Sequence, residues 1–227
     1  MDKWPHAAML RPMSEKQSRG PHAQRRAATR AKIMEAAVRC LAEFGYAATS
    51  TPLVARLGHV SRGSLLHQFP TKVDLILAVA EHAAKAQGLA IRGLLADQPP
   101  GRERFLHVID ATWTALQEPE SVALLEIMIA TRNDPELAQR YPDFAQQLEA
   151  GLEFGRRRMA TELGLPESEE MRLFARLSLA ALRGLAVETL FAAGPAEDTG
   201  KVVQMLKTLR TRFADELLDA KSPEDIL

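Results

Sequence analysis

Residues 51 to 69, TPLVARLGHVSRGSLLHQF, carry two short helical stretches on either side of a Gly58-His59-Val60 turn, and no other feature of the chain restricts its fold as much. Thr51 followed by Pro52 predicts an N-cap with proline in the first helical position, opening a helix whose inward residues are Val54, Ala55 and Leu57. That helix stops near Gly58. Ser61 predicts the cap of the second helix, in which Leu65 and Phe69 share an inner face while Arg62, Ser64 and His67 point elsewhere. Before this pair, the pattern from Thr29 predicts a longer helix with Ile33, Ala37, Cys40, Leu41 and Phe44 on one face and Gly45 placed to end it. Three helices thus pack within about fifty residues.

The rest of the chain follows the same period. Pro70 breaks the third helix, and Thr71 with Asp74 three residues on predicts a capped fourth helix running to about Leu95, joining head to body. Breakers at Gln98 to Gly101, Glu118 to Glu120, Asp134-Pro135, Leu165-Pro166 and Gly194-Pro195 cut the remainder into helical pieces. No strand pattern, internal repeat or low-complexity tract interrupts them. The expectation is an all-α chain of about nine helices: a disordered arm over 1–24, a three-helix unit over 25–71, and a helical body over 72–227.

Charge divides along the same line. Residues 1–72 hold 12 Lys and Arg against 4 Asp and Glu, while the remainder holds 17 against 25, so a net charge of zero conceals a basic head on an acidic body. Such a head suits a polyanionic partner. The single cysteine, Cys40, cannot form an internal disulfide, excludes a four-cysteine zinc site, and reads as core. No apolar run reaches spanning length, and the stretch around Lys3 and Arg11 is too short for a secretory signal, so a cytoplasmic protein is expected.

Two short helices joined by a tight turn, the second exposing polar residues on a basic head, meet the physical requirements of a helix-turn-helix reader. From Thr29 to about Glu81 the sequence resembles the N-terminal domain of the TetR family of transcriptional regulators. The resemblance rests on Ala36-Ala37, the Phe44-Gly45-Tyr46-x-x-Thr49 ending, Val60-Ser61-Arg62-Gly63-Ser64-Leu65 and Phe69-Pro70-Thr71-Lys72. Ser61 caps the recognition helix, Arg62, Ser64 and His67 reach base edges or phosphates, and Gly63 lets backbone approach DNA closely. The resemblance implies that Lys72 contacts a phosphate, and Thr49 or Thr51 offers a hydroxyl or N–H to another. Arg25, Arg26 and Arg30 add a flexible basic arm. Two positions depart from the family pattern: His59 stands where glycine is common, and Leu66 where tyrosine is. Gly58 is then expected to supply the turn, and Leu66 faces either a thymine methyl or the core.

The same resemblance implies a homodimer, a small-molecule effector in the body, and most commonly repression of a palindromic operator. Independently, apolar stripes Val202, Leu206, Leu209, Phe213, Leu217 and Leu173, Leu177, Ala181, Gly184, Leu185 both need a partner. Small Ala181 and Gly184 permit close helix crossing, either in a four-helix interface of two chains or within one chain. For the effector, His107, Trp113, Met128, Arg132 and Phe154 offer a mostly apolar lining with a few polar groups, and Gly151 and Gly155 flank Phe154. A largely apolar effector with one or two hydrogen-bonding groups is expected. No cofactor or metal is implied, and no catalytic residues.

Two rival functions stay open at this level. An all-α enzyme is one, with His107 and Asp110 as an acid-base pair at helical spacing, although no nucleophile motif, phosphate loop or metal-spaced histidines accompany them. An adaptor that uses the helix-turn-helix for protein contacts is the other. Salt-dependent DNA affinity separates it from a regulator.

Overall fold

The computed structural model describes residues 21–164, 168–190 and 196–219, and among these it contains nine helices and no strand. The expected all-α architecture is therefore observed. Helix α1 spans Pro21–Ala48, so residues 21–24 are helical rather than part of a disordered arm. Residues 1–20 lie outside the described residues, as do the breakers Leu165-Pro166 and Gly194-Pro195. Ile33, Ala37, Cys40 and Leu41 line the buried face of α1 as predicted. Phe44 does not join them: it is half exposed, at the last helical position before the backbone turns to φ 75 at Gly45. Burial pushes the Cys40 thiol up, which suits an inert core residue.

The turn between the two short helices carries two corrections. Helix α2 is Thr51–Leu57, and its N-cap is Ser50, not Thr51: Ser50 is extended and its Oγ accepts the Leu53 N–H at 3.4 Å. Thr51 and Pro52 occupy the first turn. Helix α3 is Arg62–Gln68, and Ser61 caps it as predicted by accepting the Ser64 N–H at 3.1 Å. The left-handed residue of the turn is His59, at φ 50, whereas Gly58 keeps a right-handed conformation. Gly58 is needed for space instead. A Cβ there would lie 3.1 Å from the Lys32 carbonyl and 3.3 Å from the Ala36 Cβ, so α2 packs on α1 more closely than a side chain would allow without a shift.

Helix α4 (Lys72–Leu94) opens with the predicted capping box, in which Thr71 and Asp74 satisfy each other's backbone N–H. Beyond it lie α5 (Arg102–Leu116), α6 (Pro119–Ala130), α7 (Pro135–Leu163), α8 (Glu169–Leu190) and α9 (Ala196–Asp219). Asp134 caps α7 by accepting the Leu137 N–H at 3.0 Å. One apolar core runs through α1 to α4 and continues into α6 and α7, with Leu41, Leu65, Ile76, Leu124 and Leu137 fully buried. Each such side chain stabilises the fold by about 1.5–3 kcal/mol. A second core joins α5, α6, α8 and α9 around Ile109, Leu116, Leu182 and Leu206. A third closes the far end around Phe105, Ala160, Met171 and Ala214. Among the described residues no helix is long and apolar enough to cross a membrane.

Candidate nucleic-acid interface

Leu65 and Phe69 hold α3 against the core, and this fixes what its other face presents. Arg62 and His67 are exposed and Ser64 half exposed, and none of the three side chains is engaged in a hydrogen bond or ion pair among the described residues. Gly63 stands beside them with nothing within 4 Å of a Cβ position, leaving backbone open to close approach. Leu66 takes the second of its two alternatives and packs on the core. Arg30 of α1 lies over the Phe69 ring at 4.7 Å, so the arginines at 25, 26 and 30 ride on a helix and not on a flexible arm.

Two expected phosphate contacts are placed differently. Thr49 is 1% exposed, its Oγ1 donates to the Gly45 carbonyl at 2.8 Å and its N–H to the Tyr46 carbonyl at 3.2 Å. Both groups are spent on closing the end of α1, so neither faces solvent. Ser50 and Thr51, at the open start of α2, remain at the surface. Lys72 does begin α4, but its Nζ donates to the Tyr46 carbonyl at 3.1 Å and sits 4.0 Å above the Tyr46 ring. Burial lowers this ammonium's pKa against the opposing pull of Asp134.

Tyr46 is the residue that sequence reasoning passed over. Its N–H donates to Glu126 Oε2 of α6 at 3.0 Å, and its hydroxyl to Asp134 Oδ2 at the cap of α7 at 2.5 Å. Burial and the Asp134 carboxylate push the phenol well up, while the same hydrogen bond holds Asp134 below the usual carboxylate range. Arg140 of α7 adds a 2.8 Å bond to Asp74, whose carboxyl it also depresses. The end of α1 and the start of α4 are therefore fastened to the α6–α7 corner by charged hydrogen bonds. The only sequence signal was the Phe44-Gly45-Tyr46 motif itself.

The five expected effector residues do not meet. Trp113 packs in the second core and Met128 against the first, while Arg132 is exposed and Phe154 is 71% exposed on α7. His107 is half buried with Nδ1 2.8 Å from the Glu103 carbonyl, and Asp110 pairs with Lys207 at 3.0 Å, so each is engaged with another group. An open crevice of about 240 Å³ lies elsewhere, lined by Ala86, Gln87, Ala90, Glu118, Glu120 and Ser121. Helix spacing alone had grouped residues whose helices turn them to different cores.

The expected dimer residues split in two. Leu185 and Leu206 are buried in the chain's own second core, and Phe213 stacks on Phe174 at 4.4 Å. Leu177, Gly184, Val202 and Leu209 face outward, with Leu173 and Met205, which was not anticipated, on the same exposed faces. Ala181 lies half buried between the two sets.

Comparison with known proteins agrees with the helix-turn-helix geometry. Residues 33–79 match the family described as bacterial regulatory proteins, tetR family. An uncharacterised HTH-type transcriptional regulator of Mycobacterium tuberculosis is 26% identical over 144 residues, covering 63% of this chain and 74% of the relative. The HTH-type transcriptional repressor AcnR of Corynebacterium diphtheriae is 32% identical over 122 residues, covering 53% and 59%. Among solved structures, GusR of Salmonella enterica superposes with a TM-score of 0.61 at 23% identity, covering 82% of this chain and 95% of that one.

Proposed function

We propose that this chain, whose residues 33–79 match the TetR family of bacterial regulatory proteins, is a homodimeric repressor of that family that holds a palindromic operator and lets go when a small molecule enters its body. The observation that carries this reading is the outer face of α3, where Arg62, Ser64 and His67 stand exposed and uncommitted on a helix locked to the core by Leu65 and Phe69. In a major groove, Arg62 would donate two bonds to a guanine edge, and Ser64 and His67 would contact neighbouring bases or phosphates. Ser61, Gly63 and Thr51 would bring backbone N–H groups to the phosphates on either side, with Ser50 replacing Thr49. Lys72 would offer its remaining N–H groups to a phosphate while clamped on Tyr46.

Dimerisation is assigned to the outward residues Leu173, Leu177, Gly184, Val202, Met205 and Leu209, an apolar face on two adjacent helices that needs cover. The helix-turn-helix over 25–71 and the body over 72–227 are the working units, joined by α4 and by the Tyr46 junction. An effector that favours one body geometry would move the α6–α7 corner and, through Tyr46 and Lys72, change the separation of the two recognition helices. A preference of about 3 kcal/mol for the wrong spacing lowers occupancy roughly a hundredfold. The similarity to transcriptional regulators favours this reading over an enzyme or an adaptor.

Selection of bound sequences from random duplexes tests it. A palindromic consensus with half-sites about one helical turn apart is expected. Recovery of no consensus, or of a single unpaired half-site, would contradict it.

A further inference from the structure

Arg210 of α9 is 5% exposed, and among the described residues no carboxylate pairs with it. Its Nε–H donates to the Phe105 carbonyl at 2.5 Å, its guanidinium lies 3.8 Å over the Phe105 ring, and Phe174 flanks it at 5.9 Å. Phe105 belongs to an apolar cluster with Met171 and Ala214, against which Phe213 packs, and Phe213 stacks on Phe174. Two nearby acids are engaged with other arginines: Asp215 with Arg102 at 2.6 Å, and Glu162 with Arg104 at 2.9 Å and Arg158 at 3.0 Å. Burial alone pushes the Arg210 guanidinium down to about 9, so it remains charged near neutrality. A cation taken out of water with one carbonyl acceptor and no counter-ion is costly, and stacking on aromatic faces recovers only part of that cost. Sites that sustain such a cost are candidates for ligand binding.

We infer that Arg210 is the anchor of an anion site that takes the carboxylate of a small amphipathic organic acid, its apolar part lying among Phe105, Phe174, Phe213 and Met171. A planar guanidinium matches a carboxylate in two-point geometry, and the aromatic and thioether surroundings suit an aliphatic or aryl tail. The consequence for DNA rests on the effector reading above, since α5, which carries Phe105, packs on α4. The site itself does not depend on it.

The probes are octanoate and 3-phenylpropionate, each beside its alcohol, octanol and 3-phenylpropanol, titrated calorimetrically into the full chain. Both acids are expected to bind saturably and the alcohols about thirtyfold more weakly or not at all. Arg210→Met is expected to melt no lower than the unaltered chain without acid and to lose the acid preference. Arg210→Lys, which keeps the charge but not the fork, is expected to weaken acid binding about tenfold. Acids that bind no better than alcohols, an Arg210→Met variant that binds them equally, or one that melts lower and never responded to acid would each overturn the site. DNA binding measured on the same preparation separates the two claims. Intact DNA binding without acid discrimination removes the anion site and leaves the regulator, whereas acid binding lost in Arg210→Met with unchanged DNA affinity upholds the site and removes its effector role.

Discussion

The head and the body of this chain differ in how many of their cations they pair with carboxylates. In the body, Arg102, Arg104, Arg140, Arg156, Arg158, Arg172 and Lys207 each lie within 4 Å of a carboxylate. In the head, Arg25, Arg26, Lys32, Arg56 and Arg62 are exposed without such a partner among the described residues, and the one pair there, Arg39 with Glu43, is loose at 3.9 Å. Surface pairs are worth under about 1 kcal/mol, so the contrast says little about stability. It says much about partners. The body spends many of its cations on its own acids, whereas the head leaves most of its cations open to something outside.

If the body serves to pair two heads, the largest effect comes from breaking that pairing. Leu177→Asp places a charge in the outward face of α8, and burying it unpaired against a second copy costs several kcal/mol. Sedimentation should show monomers, with operator affinity more than about a hundredfold lower. A dimer that survives the change would move the interface elsewhere.

Arg62→Ala probes the head alone. Loss of about 1–3 kcal/mol, or roughly ten- to a hundredfold in operator affinity, is expected with one base position relaxed in the selected site. The melting temperature should hold, because Arg62 is exposed and supports no contact within the fold. A drop in melting with unaltered DNA binding would reverse the assignment.

The junction between the regions responds to pH. Tyr46→Phe deletes the hydrogen bond to Asp134, a loss of about 1.5–3 kcal/mol for a bond to a charged acceptor. Asp134 has a folded pKa below its unfolded one, so its contribution is complete above the ordinary carboxylate value and fades as pH falls through the depressed one. In urea unfolding the variant should be clearly weaker than the unaltered chain at pH 7, and the gap should shrink below about pH 4. A gap that is constant with pH would mean that the hydroxyl does not hold Asp134.

The smallest expected effect is in the turn. His59 adopts φ 50, a region that disfavours side chains, and His59→Gly should raise stability by about 0.5 kcal/mol in the same assay. Gly58→Ala should do the opposite, since its Cβ meets two carbonyls of the head.

What could be read from sequence tracks how local each cause is. The Ser61 cap and the Thr71–Asp74 box depend on three-residue spacings and were legible. The cap at Ser50 and the burial of Thr49 depend on how α1 ends against the body, which no local pattern reports. Helix α9 carries apolar residues on both sides, Val203 and Leu206 inward and Val202, Met205 and Leu209 outward, so its period could not be phased without the neighbouring helices. The effector residues failed to assemble for the same reason, and Arg210 gave no signal because its lack of a counter-ion exists only in three dimensions.

The central claim is that the uncommitted cations of the head meet nucleic-acid phosphates. Its most direct test is the affinity of the full chain for its selected duplex across ionic strength. A linear fall of log affinity with log salt is predicted, steep enough for several released counter-ions, its slope shallower by about one for each head cation removed. An affinity indifferent to salt, or a slope unchanged by those removals, would contradict the account.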